Sequence, residues 1–149
     1  MAGPEKRRPR NRETADHSMF YTAAVALMYG TIDESYFEER HFLHNAQLLE
    51  LADRIECTSS EEADLRVAEF NLCELDVVMR SGERKSTRVE YHRGDWHNPM
   101  SDQEISNKFN SLATHALSPS RADALLAQLW KVEKLDDVGT LVQMTKSDL

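Results

Sequence analysis

The chain has 149 residues, of which 40% are hydrophobic and 30% charged, with only 5 Gly and 4 Pro. This composition excludes collagen-like, low-complexity and wholly disordered proteins, and the length fits one domain with a packed core. The net charge of -8 is uneven, because residues 1–12 hold five basic residues and one acid, which is +4 and leaves -12 on the other 137 residues. Since an acidic body repels phosphate, we expect no nucleic-acid surface.

The first twelve residues differ from the rest of the chain. They include two prolines and five basic residues but almost nothing apolar. Because such a segment buries too little apolar surface to order itself, we expect residues 1–12 to be a disordered or extended basic tail. Residues 13–149 are then expected to form the folded domain. A short basic run can bind nucleic acid or act as a localisation signal, but it is more often a solvated linker.

A helix is predicted next, from about His17 to Tyr29. Thr14 or Asp16 can cap its start, and Gly30 stands where a left-handed residue ends a helix. Apolar residues cover nearly its whole circumference, which is typical of a helix buried on most sides. The apolar run within it, Met19–Tyr29, has 11 residues and is too short for a membrane span, which needs about 20. Shorter helices are predicted around Glu34–Arg40 and Asn45–Ala52.

Two runs with a period of two follow a polar loop at residues 59–64. Asn71–Arg80 and Lys85–His92 each place apolar residues at alternate positions, and residues 81–83 between them fit a hairpin turn. Arg54–Thr58 is a weaker candidate for a third strand.

Three helices are predicted after an irregular loop at residues 93–100. Ser101–Glu104 is a capping box that opens the first, Ser118-Pro119 opens the second, and a final short helix includes Val138 and Met144. The order of helices, strands and helices predicts an α+β fold, in which a small antiparallel sheet packs with several helices on one side.

The start of the first helix concentrates chemically useful side chains. His17 and Tyr21 are four residues apart, so on a helix they share a face, and an imidazole and a phenol there can point at one ligand. The positive end of the helix favours an anionic ligand such as a carboxylate. In the alternative interpretation, which the residues alone favour, Asp16 caps the helix and the other two lie at the rim of the core.

Metal and nucleophile motifs are absent from the sequence. His92 and His97 lie with Asp95 in or beside one loop, but the two histidines have no third ligand nearby in a recognised pattern, so we expect no metal and no cofactor. The two cysteines, Cys57 and Cys73, form neither a disulfide framework nor a zinc quartet. Together with the lack of a membrane span or a secretory cleavage site, they predict a cytoplasmic protein.

Two separated motifs resemble one known family. The first is Arg12-Glu13-Thr14-Ala15-Asp16-His17-Ser18-Met19-Phe20-Tyr21 with the following Ala23-Ala24-Val25-Ala26-Leu27 and Gly30. The second is Arg93-Gly94-Asp95 with Asn98-Pro99-Met100-Ser101-Asp102-Gln103-Glu104 and Lys108-Phe109. Both are similar to the carboxy-terminal domain of the MmgE/PrpD family, which includes 2-methylcitrate dehydratases and cis-aconitate decarboxylases. The resemblance covers residues 12–144 and leaves residues 1–10 outside.

The resemblance implies a fold and an activity. Members combine a large helical domain with a smaller α/β domain, and they remove water or carbon dioxide from tricarboxylate-like acids without a metal. Their active site lies where the two domains meet. Carried over by position, Tyr21 and His17 are the implied catalytic residues and Asp16 an implied substrate-binding residue. The expected ligand is a small carboxylate.

The same resemblance implies partners. The family's helical domain, with its main acid, base and carboxylate-binding groups, is expected as a partner polypeptide, and without it we expect no appreciable lyase activity. A homo-oligomer is also expected, because the apolar helix at residues 17–29 leaves a surface to cover. The alternative is a non-catalytic interaction domain or a truncated relic, and a third reading makes the basic tail a nucleic-acid arm.

Overall fold

The computed structural model describes residues 3–66 and 71–147. These residues form eight α-helices and one antiparallel pair of strands, which confirms the predicted α+β class. The chain forms two compact units, Met1–Asp64 and Leu65–Leu149, and the division falls inside the stretch that the sequence assigns to one domain. No helix in the described part of the chain has the length and apolar character to cross a bilayer.

The first unit is helical. A 3₁₀ turn at Glu34–Phe37 lies between its second and third helices. The helices are α1 (Arg12–Asp16), α2 (Met19–Tyr29), α3 (Glu39–Phe42) and α4 (Ala46–Asp53), and α5 (Glu61–Leu65) begins in this unit and ends at the first residue of the next.

Helix α2 is the central element of this unit. It begins two residues later than predicted, because Ser18 rather than Thr14 or Asp16 caps it by accepting a hydrogen bond from the Tyr21 amide at 3.1 Å. It ends at Gly30 as predicted, with φ +72°. One face is buried, but Met19 and Leu27 are 46% and 40% exposed, so the helix is not enclosed on most sides.

The core of the first unit joins α1, α2, α3 and α4. Apolar spacing along each short helix places one or more side chains inward, and the packing of these faces stabilises helices too short to persist alone. The buried members are Ala15, Phe20, Tyr21, Ala24, Val25, Phe42, Leu48 and Ala52.

The basic segment is part of this unit, contrary to the predicted disordered tail. Residues Pro4–Arg7 form a 3₁₀ turn, Pro9 is buried, and the Lys6 carbonyl accepts a 2.7 Å hydrogen bond from the Ser18 hydroxyl. Composition misses this because an arginine can pack its stem and guanidinium on an apolar surface, as Arg7 does over Phe20. Residues 1 and 2 lie outside the described residues.

A hairpin is the first complete element of the second unit. Strands β1 (Cys73–Val78) and β2 (Arg84–Val89) pair antiparallel, with Cys73 opposite Val89 and Val78 opposite Arg84. Gly82, at φ +88°, allows the turn between them. The alternation predicted both strands correctly, but the third strand at residues 54–58 is wrong, because that stretch is irregular.

The hairpin also departs from the predicted packing. Only Leu75 and Val77 among its twelve strand residues are half-buried, and the others are exposed, so the helices do not cover a face of the sheet. The apolar alternation therefore marks a strand correctly without showing what packs against it.

Three helices complete the second unit. Helix α6 (Asp102–Ala113) begins with the predicted capping box, in which Ser101 and Glu104 each bond the other's backbone amide. Helix α7 (Pro119–Leu129) packs against α6, and α8 (Gly139–Met144) closes a small core. The residues of this core are Leu117, Ala122 and Leu125, with Phe109, Ala113, Leu141 and Met144 around them.

Candidate functional site

His17 lies at the junction between α1 and α2, where its side chain is 60% exposed. Its Nδ1 is 2.5 Å from an Asp16 carboxylate oxygen and 3.0 Å from the Glu13 carbonyl oxygen. Since both neighbours are acceptors, Nδ1 carries the proton and donates it, which leaves Nε2 to meet a ligand. The Glu13 carbonyl, and after it the Asp16 carboxylate, raise the pKa of His17 above 6.5. Asp16 and the Glu13 carbonyl therefore hold the imidazole in one orientation, in which Nε2 can give or accept a proton.

The titration of His17 is a direct test of this geometry. We expect NMR titration to give a pKa above 6.5, and Asp16→Asn to lower it only in part, because the Glu13 carbonyl remains. With a raised folded-state pKa, the stabilisation is complete below pH 6.5 and is lost as pH rises through the folded value. Asp53→Asn removes another exposed carboxylate, one that pairs with Arg8, and is the matched control. A His17 pKa at or below 6.5 in the unmodified chain contradicts the arrangement.

Tyr21 occupies a different environment. Its side chain is fully buried, and its hydroxyl donates a hydrogen bond to the Tyr36 carbonyl at 2.5 Å. The ring also lies 6.0 Å, between centroids, from that of Phe37. Burial, and to a lesser extent the neighbouring Tyr29, raise the pKa of Tyr21 to about 12. The phenol therefore joins α2 to the 3₁₀ turn at Glu34–Phe37.

The structure does not bring the two residues to a shared exposed face. The predicted helix would place His17 one turn before Tyr21, but α1 ends at Asp16 and α2 begins at Met19, so the helix is interrupted between them. Asp16 binds the His17 ring and does not cap α2. The role of Tyr21 as a catalytic group, and of Asp16 as a substrate ligand, stay predictions.

The amino end of α2 is filled by the chain itself. Ser18 is 1% exposed, and its hydroxyl accepts from the Tyr21 amide while donating to the Lys6 carbonyl. A carboxylate ligand predicted at this helix end would have to displace that hydroxyl. The sequence analysis did not identify Ser18 as the cap of α2. The signal that could have found it is the cap of α1, because Asn11 and Thr14 form a capping box that marks a separate short helix before Ser18.

A second group of rings lies beside the Tyr21 hydroxyl. Tyr29 and Tyr36 stack with centroids 4.4 Å apart, and His41 meets the Tyr36 ring edge-on at 5.4 Å. Asn45 donates to the Tyr29 hydroxyl at 2.9 Å. Sequence spacing gave no signal for this group, because its members come from three different elements.

The loop after the hairpin presents another stack of rings. His97 lies 4.0 Å from Tyr91 and 3.4 Å from Trp96, measured between centroids, and its Nδ1 is 2.9 Å from Asp95. Hydrogen bonds from His97, first from its backbone amide, lower the pKa of Asp95. Within residues 3–66 and 71–147 no three His, Cys, Asp or Glu side chains cluster so as to hold a metal ion.

Comparison with known proteins gives a family match over most of the chain. Residues 2–133 match the model of the MmgE/PrpD C-terminal domain, so the match includes the basic segment that the resemblance had left outside and ends before residue 144. The chain is 26% identical to the cis-aconitate decarboxylase of Homo sapiens over 140 residues, which is 93% of this chain. It is 25% identical to the cis-aconitate decarboxylase of Mus musculus over the same share. A cis-aconitate decarboxylase-like protein of Aspergillus oryzae is 26% identical over 98% of the chain.

The coverage of these relatives is unequal. The aligned part is 28% of the human and mouse proteins and 30% of the fungal one. The chain therefore spans less than a third of the length of the curated relatives that it matches.

Proposed function

The chain belongs to the MmgE/PrpD family, and from that premise we propose that it is the carboxy-terminal domain of a lyase acting on tricarboxylate-like acids by decarboxylation or dehydration. The match over residues 2–133 carries this proposal. Relatives named cis-aconitate decarboxylase, aligned over nearly the whole chain, support the substrate class. The low cysteine content, two in 149 residues, offers no disulfide framework and supports a cytoplasmic location.

His17 is the group in the described residues best placed to transfer a proton. Loss of carbon dioxide from a carboxylate breaks a carbon–carbon bond and leaves the electron pair on carbon, which must then accept a proton. An imidazolium held at Nδ1 by Asp16 and the Glu13 carbonyl can deliver that proton from Nε2 and recover it from water. In a dehydration the same group would protonate the departing hydroxyl.

The exposure of His17 also explains why we propose a requirement for the family's helical domain. Proton transfer and stabilisation of developing charge work best in a site that excludes water and surrounds the substrate. A side chain that is 60% exposed has no such enclosure on its outer side. We therefore propose that the helical domain, joined to this domain or supplied as a partner, provides the opposite wall and the carboxylate-binding groups. A homo-oligomer through exposed Met19 and Leu27 stays a prediction.

The proposal is tested by reconstitution. This domain, mixed with or fused to a helical domain of the family from the same genome, is expected to raise turnover of cis-aconitate or 2-methylcitrate at least about tenfold above either part alone. Release of carbon dioxide measures a decarboxylation, and the ultraviolet absorbance of the newly formed conjugated double bond measures a dehydration. Each part assayed alone is the control. If the two domains bind each other but turn over none of these acids, the proposal is contradicted.

A second candidate function has one observation in its favour. Trp96 is 81% exposed and its ring meets that of His97 at a tilt of 37°, and tryptophan is enriched at protein interfaces. A non-catalytic interaction domain would use such a surface. Binding of the helical domain without turnover is the outcome that favours this candidate over the lyase.

A further inference from the structure

Arg7 connects the basic segment to two helices at once. The carbon of its guanidinium lies 4.3 Å from the centroid of the Phe20 ring, and one terminal nitrogen donates to the Ile55 carbonyl at 2.7 Å. Phe20 is 2% exposed in the first turn of α2, and Ile55 follows the end of α4. One side chain therefore holds residues 4–9 against both helices by a cation–π contact and a charge-assisted hydrogen bond.

The residue before Arg7 reaches the candidate site. The Lys6 carbonyl accepts from the Ser18 hydroxyl at 2.7 Å, and Ser18 is bonded through the backbone to His17. The same hydroxyl caps α2 by accepting from the Tyr21 amide. The position of Lys6 thus sets where Ser18 lies, and with it the junction that presents the imidazole.

The neighbouring arginine makes a useful contrast. Arg8 pairs with Asp53 at 2.5 Å, but the two side chains are 58% and 39% exposed, and exposed ion pairs contribute little to stability. Arg7 is half-buried, and its Nε is buried without a hydrogen-bond partner among the described residues. A half-buried guanidinium kept despite that orphan nitrogen points to a specific role for its other contacts.

We propose that Arg7 is a positioning residue for His17, acting through Lys6 and Ser18. The inference rests on the proposed function for the role of His17 as a proton donor, but the contacts that position His17 do not depend on turnover. Arg7 holds the segment, the segment's carbonyl holds the Ser18 hydroxyl, and Ser18 fixes the orientation in which His17 meets Asp16 and the Glu13 carbonyl. The basic segment is therefore a structural part of the site.

The test compares Arg7→Met with Arg8→Met in the full chain. Both variants remove a charge and keep an apolar stem, but only the first removes the contacts with Phe20 and Ile55. In Arg7→Met we expect the measured pKa of His17 to fall toward 6.5 and the Tyr21 amide to exchange about fivefold faster, as for loss of a helix cap. Arg8→Met is expected to change neither. A folded Arg7→Met chain with an unchanged His17 titration would overturn the proposal.

A second pair of variants covers the case in which Arg7→Met does not fold. Arg7→Lys keeps the charge and the stem but not the planar fork, so it should fold and show a smaller fall in the His17 pKa. Ser18→Ala removes the hydrogen bond to the Lys6 carbonyl and should also lower the His17 pKa. The double variant is then compared with the two single ones. If the changes in the His17 pKa caused by Arg7→Lys and Ser18→Ala add in the double variant, the two residues act independently and the proposal fails. Absence of turnover with every helical domain tested would contradict the proposed function but would leave these titrations unaffected.

Discussion

Replacing Tyr21 by alanine is expected to lower the free energy of unfolding by about 3–5 kcal/mol, as for other buried aromatic side chains. The ring is fully buried at the centre of the first unit, and its removal leaves a cavity beside Phe37. The hydrogen bond to the Tyr36 carbonyl is also lost. Chemical denaturation followed by circular dichroism measures the change. A loss below about 1 kcal/mol would mean that the ring is not part of the core.

Tyr21→Phe separates the ring from its hydroxyl. Loss of the hydrogen bond to the Tyr36 carbonyl is expected to lower the free energy of unfolding by about 1 kcal/mol. Because burial raises the pKa of Tyr21 to about 12 from 10.0, the folded state favours the neutral phenol, and this contribution is intact below pH 10 and lost as pH rises toward 12. The alkaline fall in stability should therefore be steeper in the unmodified chain than in Tyr21→Phe.

The same variant bears on the predicted catalytic role of Tyr21. A phenol with so high a pKa and a committed proton is a poor acid or base near neutral pH. In the assembled lyase, Tyr21→Phe should therefore lower kcat far less than a change at His17. A loss as large as that of the histidine variant would show that the phenol contacts the substrate after assembly.

Replacing His17 by glutamine is expected to lower kcat of the assembled lyase about 10²–10⁴-fold, the usual effect of removing a general acid. Glutamine keeps a polar side chain at the exposed junction, so the fold should be preserved and substrate binding only slightly changed. The pH profile supplies a second readout. The unmodified enzyme should lose activity as pH rises through the raised pKa of His17, and Asp16→Asn should move that limb to lower pH.

His115→Gln is the matched control for this substitution. His115 is an exposed histidine just after α6, so its replacement should leave kcat and the pH profile unchanged. Full activity of the His17 variant would remove the imidazole from the mechanism and leave this domain with a supporting role only.

Much of the fold was predictable because local patterns carry it. The glycine that ends α2, the capping box at Ser101 and Glu104, and the alternation in β1 and β2 all appear in the structure as predicted. Each depends on residues within a few positions of one another, where backbone geometry restricts the choices. The third strand predicted at residues 54–58 is absent because an alternation of only five residues does not specify a hydrogen-bonded neighbour.

The candidate site was less predictable for a different reason. The shared face of His17 and Tyr21 depended on one continuous helix, and the capping serine moved the start of α2 by two residues. That small shift separates an exposed imidazole from a buried phenol. It also leaves Asp16 free to orient the His17 ring instead of capping the helix.

The sequence by itself determined the family, the fold class and the presence of a histidine and an acid just before the central helix, because these follow from local spacing and from a pattern that the chain shares with its family over residues 2–133. Only the tertiary structure decided which side chains are buried and which are exposed. Arg7 reaches Ile55 across 48 residues and the Ser18 hydroxyl reaches Lys6 across 12, so their partners are chosen by packing and not by neighbouring positions. Such contacts form only when distant segments meet, and no local pattern records them.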